Sequence, residues 1–141
     1  IDLGRLRHDA RLVAAIAALP GRKLVFTNAD VPHAQRVLDR LGLGAIFEGI
    51  HDIHAMDHVP KPDPISYAGL CAHWAIEPER ALFAEDMARN LAPAKTIGMT
   101  TLWIDNGSEQ AADIASPDFV DYRTHDLADW LHELTGRIDD A

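Results

Sequence analysis

Apolar positions along the chain fall into two rhythms, one of period near 3.6 and one of short unbroken runs, and the two alternate. Leu6, Leu12, Val13, Ile16 and Leu19 make one stripe, which predicts a helix from about Asp9 that Pro20-Gly21 stops. Lys23 to Thr27 reads as a short buried strand. It ends in Thr27-Asn28-Ala29-Asp30, where Asp30 or Asn28 caps a helix with Pro32 in its first turn. That helix turns Ala34, Val37, Leu38 and Leu41 inward and stops at Gly42. Phe47 to Ala55 is a less apolar strand, interrupted by Asp52 and two histidines, which suits a sheet edge. The prolines at 60, 62 and 64 exclude regular structure around Lys61. Asp63 then caps, and Pro64 opens, a helix to about Trp74. Ala81 to Ala84 is another apolar run. A helix follows Asn90 to about Ile97, with Pro93 in its first turn and Gly98 at its end. Thr100 to Ile104 predicts a strand, Glu109 to Ile114 a short helix, and Phe119 to Tyr122 an edge strand. Asp126 caps a last helix with Leu127, Trp130, Leu131 and Leu134 on one face. Strands alternating with helices predict an α/β fold, a doubly wound, mostly parallel sheet covered on both sides. No linker interrupts the pattern, so residues 1–141 are expected to form a single domain.

Composition narrows the function classes. The chain has 141 residues, enough for a real core. Its formal charge of −9 opposes binding to a nucleic-acid polymer, although a local cation can still hold a small anion. A single cysteine, Cys71, allows no internal disulfide and fits a reducing cytoplasm. No apolar run approaches the ~20 residues that a membrane span needs. The chain opens at Ile1 with no methionine, and we expect it to be part of something longer.

Three strand ends carry polar groups. Thr27 offers a hydroxyl, with the backbone amides of Asn28 and Ala29 beside it. Lys61 offers an ammonium group. Glu85 and Asp86 close an apolar strand with two adjacent carboxylates, and Asn90 follows four residues after Asp86. Two acids at the mouth of such a strand are costly unless a cation meets them, and Mg²⁺ is the natural oxygen-seeking candidate. Carboxyl ends of parallel strands point the same way, so the three groups can converge at the edge where α/β sheets bind ligands. A hydroxyl, amides, a lysine and a metal-binding acid suit a phosphoryl group, whose transfer rests on positioning and charge neutralisation. A signalling receiver domain also combines Asp, Thr and Lys, but it places its acids first and its lysine last, the reverse of the order here. A non-catalytic binding fragment is the remaining class.

Phe26-Thr27-Asn28, Lys61-Pro62-Asp63-Pro64 and Phe83-Ala84-Glu85-Asp86-Met87-Ala88-Arg89-Asn90 resemble the second, third and fourth motifs of the haloacid dehalogenase-like hydrolases. The likeness runs from roughly Ile1 through Asp105. Phe26-Thr27-Asn28, His33-Ala34, Phe47-Glu48-Gly49-Ile50 and Glu85-Asp86 are similar to the bacterial pyrimidine 5′-nucleotidase branch. The resemblance implies a Rossmann-like core and a Mg²⁺-dependent phosphatase acting on a small phosphorylated metabolite. That metabolite would be a nucleoside monophosphate, or else a sugar phosphate or phosphoglycolate-like acid. It implies that Thr27 hydrogen-bonds a phosphoryl oxygen, with the Asn28 and Ala29 amides helping to hold it. Lys61 would pair with the phosphate and with the nucleophile. Asp86 would bind Mg²⁺, Glu85 would bind it or orient its waters, and Asn90 would lie behind them.

The family's first motif, an Asp-x-Asp pair after an apolar strand, is missing. Asp139-Asp140 is a polar tail, Asp118 to Asp121 lies in the wrong order, and Asp2 precedes no apolar strand. The resemblance implies that an upstream segment supplies the nucleophile, most of the substrate-selecting cap, and the central strand between the Lys23 and Ala81 strands. The expected structure therefore has a break between those two strands, or another segment filling it.

Other residues read as structural. Strand spacing sends His51 and His54 to opposite faces, which opposes a zinc site with His58 and gives these histidines a surface or loop role. His33 is expected to take part in capping, Cys71 in core packing, and Trp74, Trp103 and Trp130 in core or interface filling.

Overall fold

The computed structural model describes residues 6–107 and 115–139. The helix expected over 109–114 lies outside the described residues. The chain divides into two compact units, residues 1–58 with 127–141, and residues 59–126.

In the first unit, α1 (Ala10–Ala17) starts where the Asp9 carboxylate accepts the Leu12 amide at 3.0 Å. β1 (Leu24–Phe26) leads to α2 (Val31–Leu41), capped by Asp30 accepting the His33 amide at 2.9 Å. Gly42 ends α2 at φ 85°, a left-handed conformation that glycine enters without a Cβ penalty. β2 (Gly49–His51) pairs with β1 in parallel, Val25 opposite Ile50. In the second unit come α3 (Pro64–Trp74), β3 (Leu82–Glu85), α4 (Ala92–Thr96), β4 (Thr100–Ile104) and β5 (Tyr122–Thr124). β4 lies between β3 and β5, both parallel to it. α5 (Leu127–Asp139) returns to the first unit.

Among the described residues every ladder is parallel, as the alternation of elements predicts, and the strands form two sheets. Among them no ladder joins β1 to β3. Each unit has its own core. Ala15, Ile16, Leu38, Leu43 and Leu131 are buried together in the first, with Val25, Ile50 and Trp130 packed against them. Ala88, Leu91 and Trp103 form the second, with Phe83, Phe119 and Val120 around them. Among the described residues no helix is long and apolar enough to cross a membrane.

Three elements differ from the sequence reading. The last strand begins at Tyr122 instead of Phe119. Phe119 and Val120 pack on the Trp103 cluster, and Val120 N–H closes a turn on Pro117 O at 3.0 Å. The helix after Asn90 shrinks to five residues, because Ala88–Leu91 winds as a tighter 3₁₀ turn before Pro93. β2 stops at His51 because Asp52 takes the chain out of the ladder. Its carboxylate accepts the Val31 amide at 3.0 Å and the Ala55 amide at 2.9 Å.

Asp52 is also one of the carboxyls that contribute to acid stability. Burial alone would raise its pKa, but the Ala55 and Val31 amides outweigh that and hold it below the usual carboxylate range. A folded-state value below the unfolded one means stability that is present above the unfolded pKa. It is lost as pH falls through the folded value. Asp52→Asn should therefore cost about 2 kcal/mol at neutral pH. The difference from the parent chain should shrink once the medium is acid enough to protonate Asp52 in the folded state, as read by urea denaturation at each pH.

Candidate active site

β3 is a run of four residues whose last is Glu85, so its apolar body sets a carboxylate at the strand's carboxyl end. Lys61 reaches that carboxylate from the proline-bounded turn before α3, where Asp63 N–H closes on Pro60 O at 3.0 Å and the Lys61–Pro62 peptide is cis. Lys61 Nζ lies 3.1 Å from Glu85 Oε2, with both side chains about nine-tenths buried. The ammonium group also sits 5.5 Å from the centre of the Phe83 ring. Asn90 Nδ2 donates to Glu85 Oε1 at 2.7 Å. Both oxygens of Glu85 are thus engaged.

Behind this pair is a support that the sequence reading missed. Tyr67, fully buried on α3, donates its hydroxyl to the Asn90 carbonyl at 2.5 Å and packs edge-on against Phe83. Burial, and then the charge of Glu85, pushes its pKa well up, so it remains a protonated donor. Trp103 Nε1–H donates to the Asp86 carbonyl at 3.1 Å, which fixes the backbone just after Glu85. The signal for Tyr67 was its place six residues after Lys61 in an apolar helix, an aromatic ring whose hydroxyl needs a buried acceptor.

The structure brings together Lys61, Glu85 and Asn90, with Asp86 next in the chain. Glu85 is held by Lys61 on one oxygen and by Asn90 on the other. Asp86 differs. Its half-buried side chain has no hydrogen-bond or ion-pair partner among the described residues. Asn90 keeps a second unused atom, since its buried Oδ1 has no partner among them either. No group of three or more His, Cys, Asp or Glu residues able to hold a metal occurs among the described residues.

Thr27, Asn28 and Ala29 lie in the first unit, just past β1. Thr27 N–H extends the ladder by donating to His51 O at 3.0 Å. Its Oγ1 accepts the Ala29 amide at 3.0 Å. The Ala29 amide is therefore committed to Thr27. His33 contributes its backbone amide to the Asp30 cap.

The sequence profile of the haloacid dehalogenase-like hydrolases matches residues 2–98. The chain belongs to this family. Solved structures of similar fold include an L-2-haloacid dehalogenase from Xanthobacter autotrophicus with chloropropionic acid covalently bound. It has a TM-score of 0.74 and 20% identity, covering 95% of this chain and 63% of that one. Another L-2-haloacid dehalogenase has a TM-score of 0.71 and 24% identity over 86% of this chain and 55% of that one. A HAD phosphatase from Thermococcus onnurineus has a TM-score of 0.67 and 18% identity over 92% of this chain and 55% of that one. This haloacid dehalogenase-like chain thus spans little more than half the length of most of these relatives.

Proposed function

We propose that this chain is the larger part of a Mg²⁺-dependent phosphatase core that cleaves a small phosphomonoester. The observation that carries the reading is the Asp86 carboxylate, which has no partner among the described residues and follows directly on a Lys61–Glu85 pair already neutralised. A site with one surplus negative charge needs a cation before it can admit an anion. A 2-haloacid brings a carboxylate and no cation, so it would meet repulsion from Asp86. A phosphate monoester arrives with Mg²⁺, which keeps several waters and is commonly held by one or two protein carboxylates plus phosphate oxygens. Asp86 would hold the ion, and its chemistry there is to neutralise charge on the phosphoryl oxygens.

The chain's own residues would do the rest. Lys61, aimed by Glu85, donates to one phosphoryl oxygen. The nucleophile would be the first Asp of an Asp-x-Asp motif on an upstream strand. It attacks phosphorus as the alcohol leaves with a proton from the second Asp. Water then cleaves the acyl phosphate, releasing phosphate and restoring the carboxylate. The nucleotidase-like segments around Phe26, His33 and Phe47 favour a pyrimidine nucleoside 5′-monophosphate over a sugar phosphate or phosphoglycolate-like acid. The single cysteine, Cys71, fits action in a reducing cytoplasm.

The test is a release assay on the longer protein against nucleoside monophosphates, sugar phosphates and 2-haloacids, with Mg²⁺ or with chelator. The expected result is phosphate release that chelator abolishes. Halide release that ignores chelator would replace this reading with dehalogenation.

A further inference from the structure

We propose that His54 and His58 form a two-histidine site for a borderline divalent transition metal, with Zn²⁺ as the representative ion and water completing its coordination. The strand expected over this stretch ends at His51, and residues 53–58 turn instead. That turn replaces the strand geometry that would separate the rings. Met56 N–H bonds Asp52 O at 3.1 Å, Asp57 N–H bonds His54 O at 3.1 Å, and His58 N–H bonds Ile53 O at 2.9 Å. The Asp52 carboxylate holds the Ala55 amide, and Met56 is buried beneath. Asp57 and His58 take left-handed backbone angles, φ 53° and 64°, so the turn reverses sharply enough to lay one ring against the other.

The outcome is His54 Nδ1 at 3.3 Å from His58 Nε2, with the rings nearly perpendicular. That separation is long for an N–H···N hydrogen bond. It matches the spacing of two ligands on one tetrahedral ion, because nitrogens about 2.0–2.1 Å from Zn²⁺ at the tetrahedral angle lie about 3.3–3.4 Å apart. Both rings are exposed, so an ion and its waters can reach them. The buried Asp52 carboxylate is electrostatically coupled to His54, which favours added positive charge there. Imidazole nitrogens select Zn²⁺, Ni²⁺ or Cu²⁺ over Mg²⁺, so this site is chemically separate from the carboxylate of Asp86.

The experiment titrates ZnCl₂ into the 141-residue chain by calorimetry, with millimolar Mg²⁺ present throughout. One Zn²⁺ per chain should bind with micromolar affinity. His54→Ala and His58→Ala should each weaken it at least tenfold, whereas His132→Ala should change it less than twofold. In the unsubstituted chain, the ring resonances of His54 and His58 should shift before those of any other histidine. Absence of zinc binding, unchanged affinity in both alanine variants, or another histidine shifting first would overturn the proposal. None of these outcomes depends on phosphate-ester turnover.

Discussion

Lys61→Met should abolish phosphate release in the longer protein and also destabilise the unit that carries it. The two effects have one cause. Lys61 and Glu85 are an ion pair at 3.1 Å from which water is largely excluded. Removing one member leaves a buried charge uncompensated, which costs about 3–5 kcal/mol. On the proposed function it also removes the donor to the phosphoryl oxygens, a loss typically worth about 10²–10³-fold in rate. The double variant Lys61→Met/Glu85→Met separates the two. With neither charge present, most of the stability should return while activity stays absent. Urea denaturation and phosphate release on the same preparations give both readings. A single variant that is as stable as its parent would show the pair to be solvated.

The 141 residues assayed alone with Mg²⁺ should release no phosphate from any ester. Rejoining an upstream strand that ends in Asp-x-Asp should restore turnover by about 10⁴-fold or more, the scale on which loss of a nucleophile is felt. Among the described residues β1 and β3 share no ladder. An upstream strand that pairs with either would add backbone hydrogen bonds as well as the nucleophile, and should raise stability together with activity. Phosphate release by the isolated chain would contradict this, as would an upstream region without such a motif.

What the sequence made legible was local and covalent. Asp63 caps the helix expected of it, and of the two caps offered for the second helix Asp30 is the one used, because a short carboxylate before an apolar stripe needs only its own backbone neighbours. Lys61, Glu85, Asp86 and Asn90 stood out by order along the chain. What stayed hidden depends on which side chain reaches which. Nothing in the spacing says that Glu85 spends both oxygens on Lys61 and Asn90, or that Tyr67 holds Asn90 from below. Strand periodicity put the rings of His51 and His54 on opposite faces, and the structure separates them, burying His51, for which a surface or loop role was expected, and exposing His54. Asp52 ends the strand by taking two amides outside the ladder, and the pair that forms is His54 with His58. The Phe119 strand moved for a similar reason, since two residues chosen as strand formers were drawn into the Trp103 cluster.

The proposed function stands on Lys61 and Asp86 serving one phosphoryl group and its magnesium. A crystal structure of the longer protein with Mg²⁺ and a trigonal or tetrahedral phosphate mimic tests this most directly. The expected result is Lys61 Nζ within hydrogen-bond distance of the mimic, with an Asp86 oxygen on the magnesium beside it. A mimic that Lys61 does not reach, or a magnesium that leaves Asp86 untouched, would contradict the account.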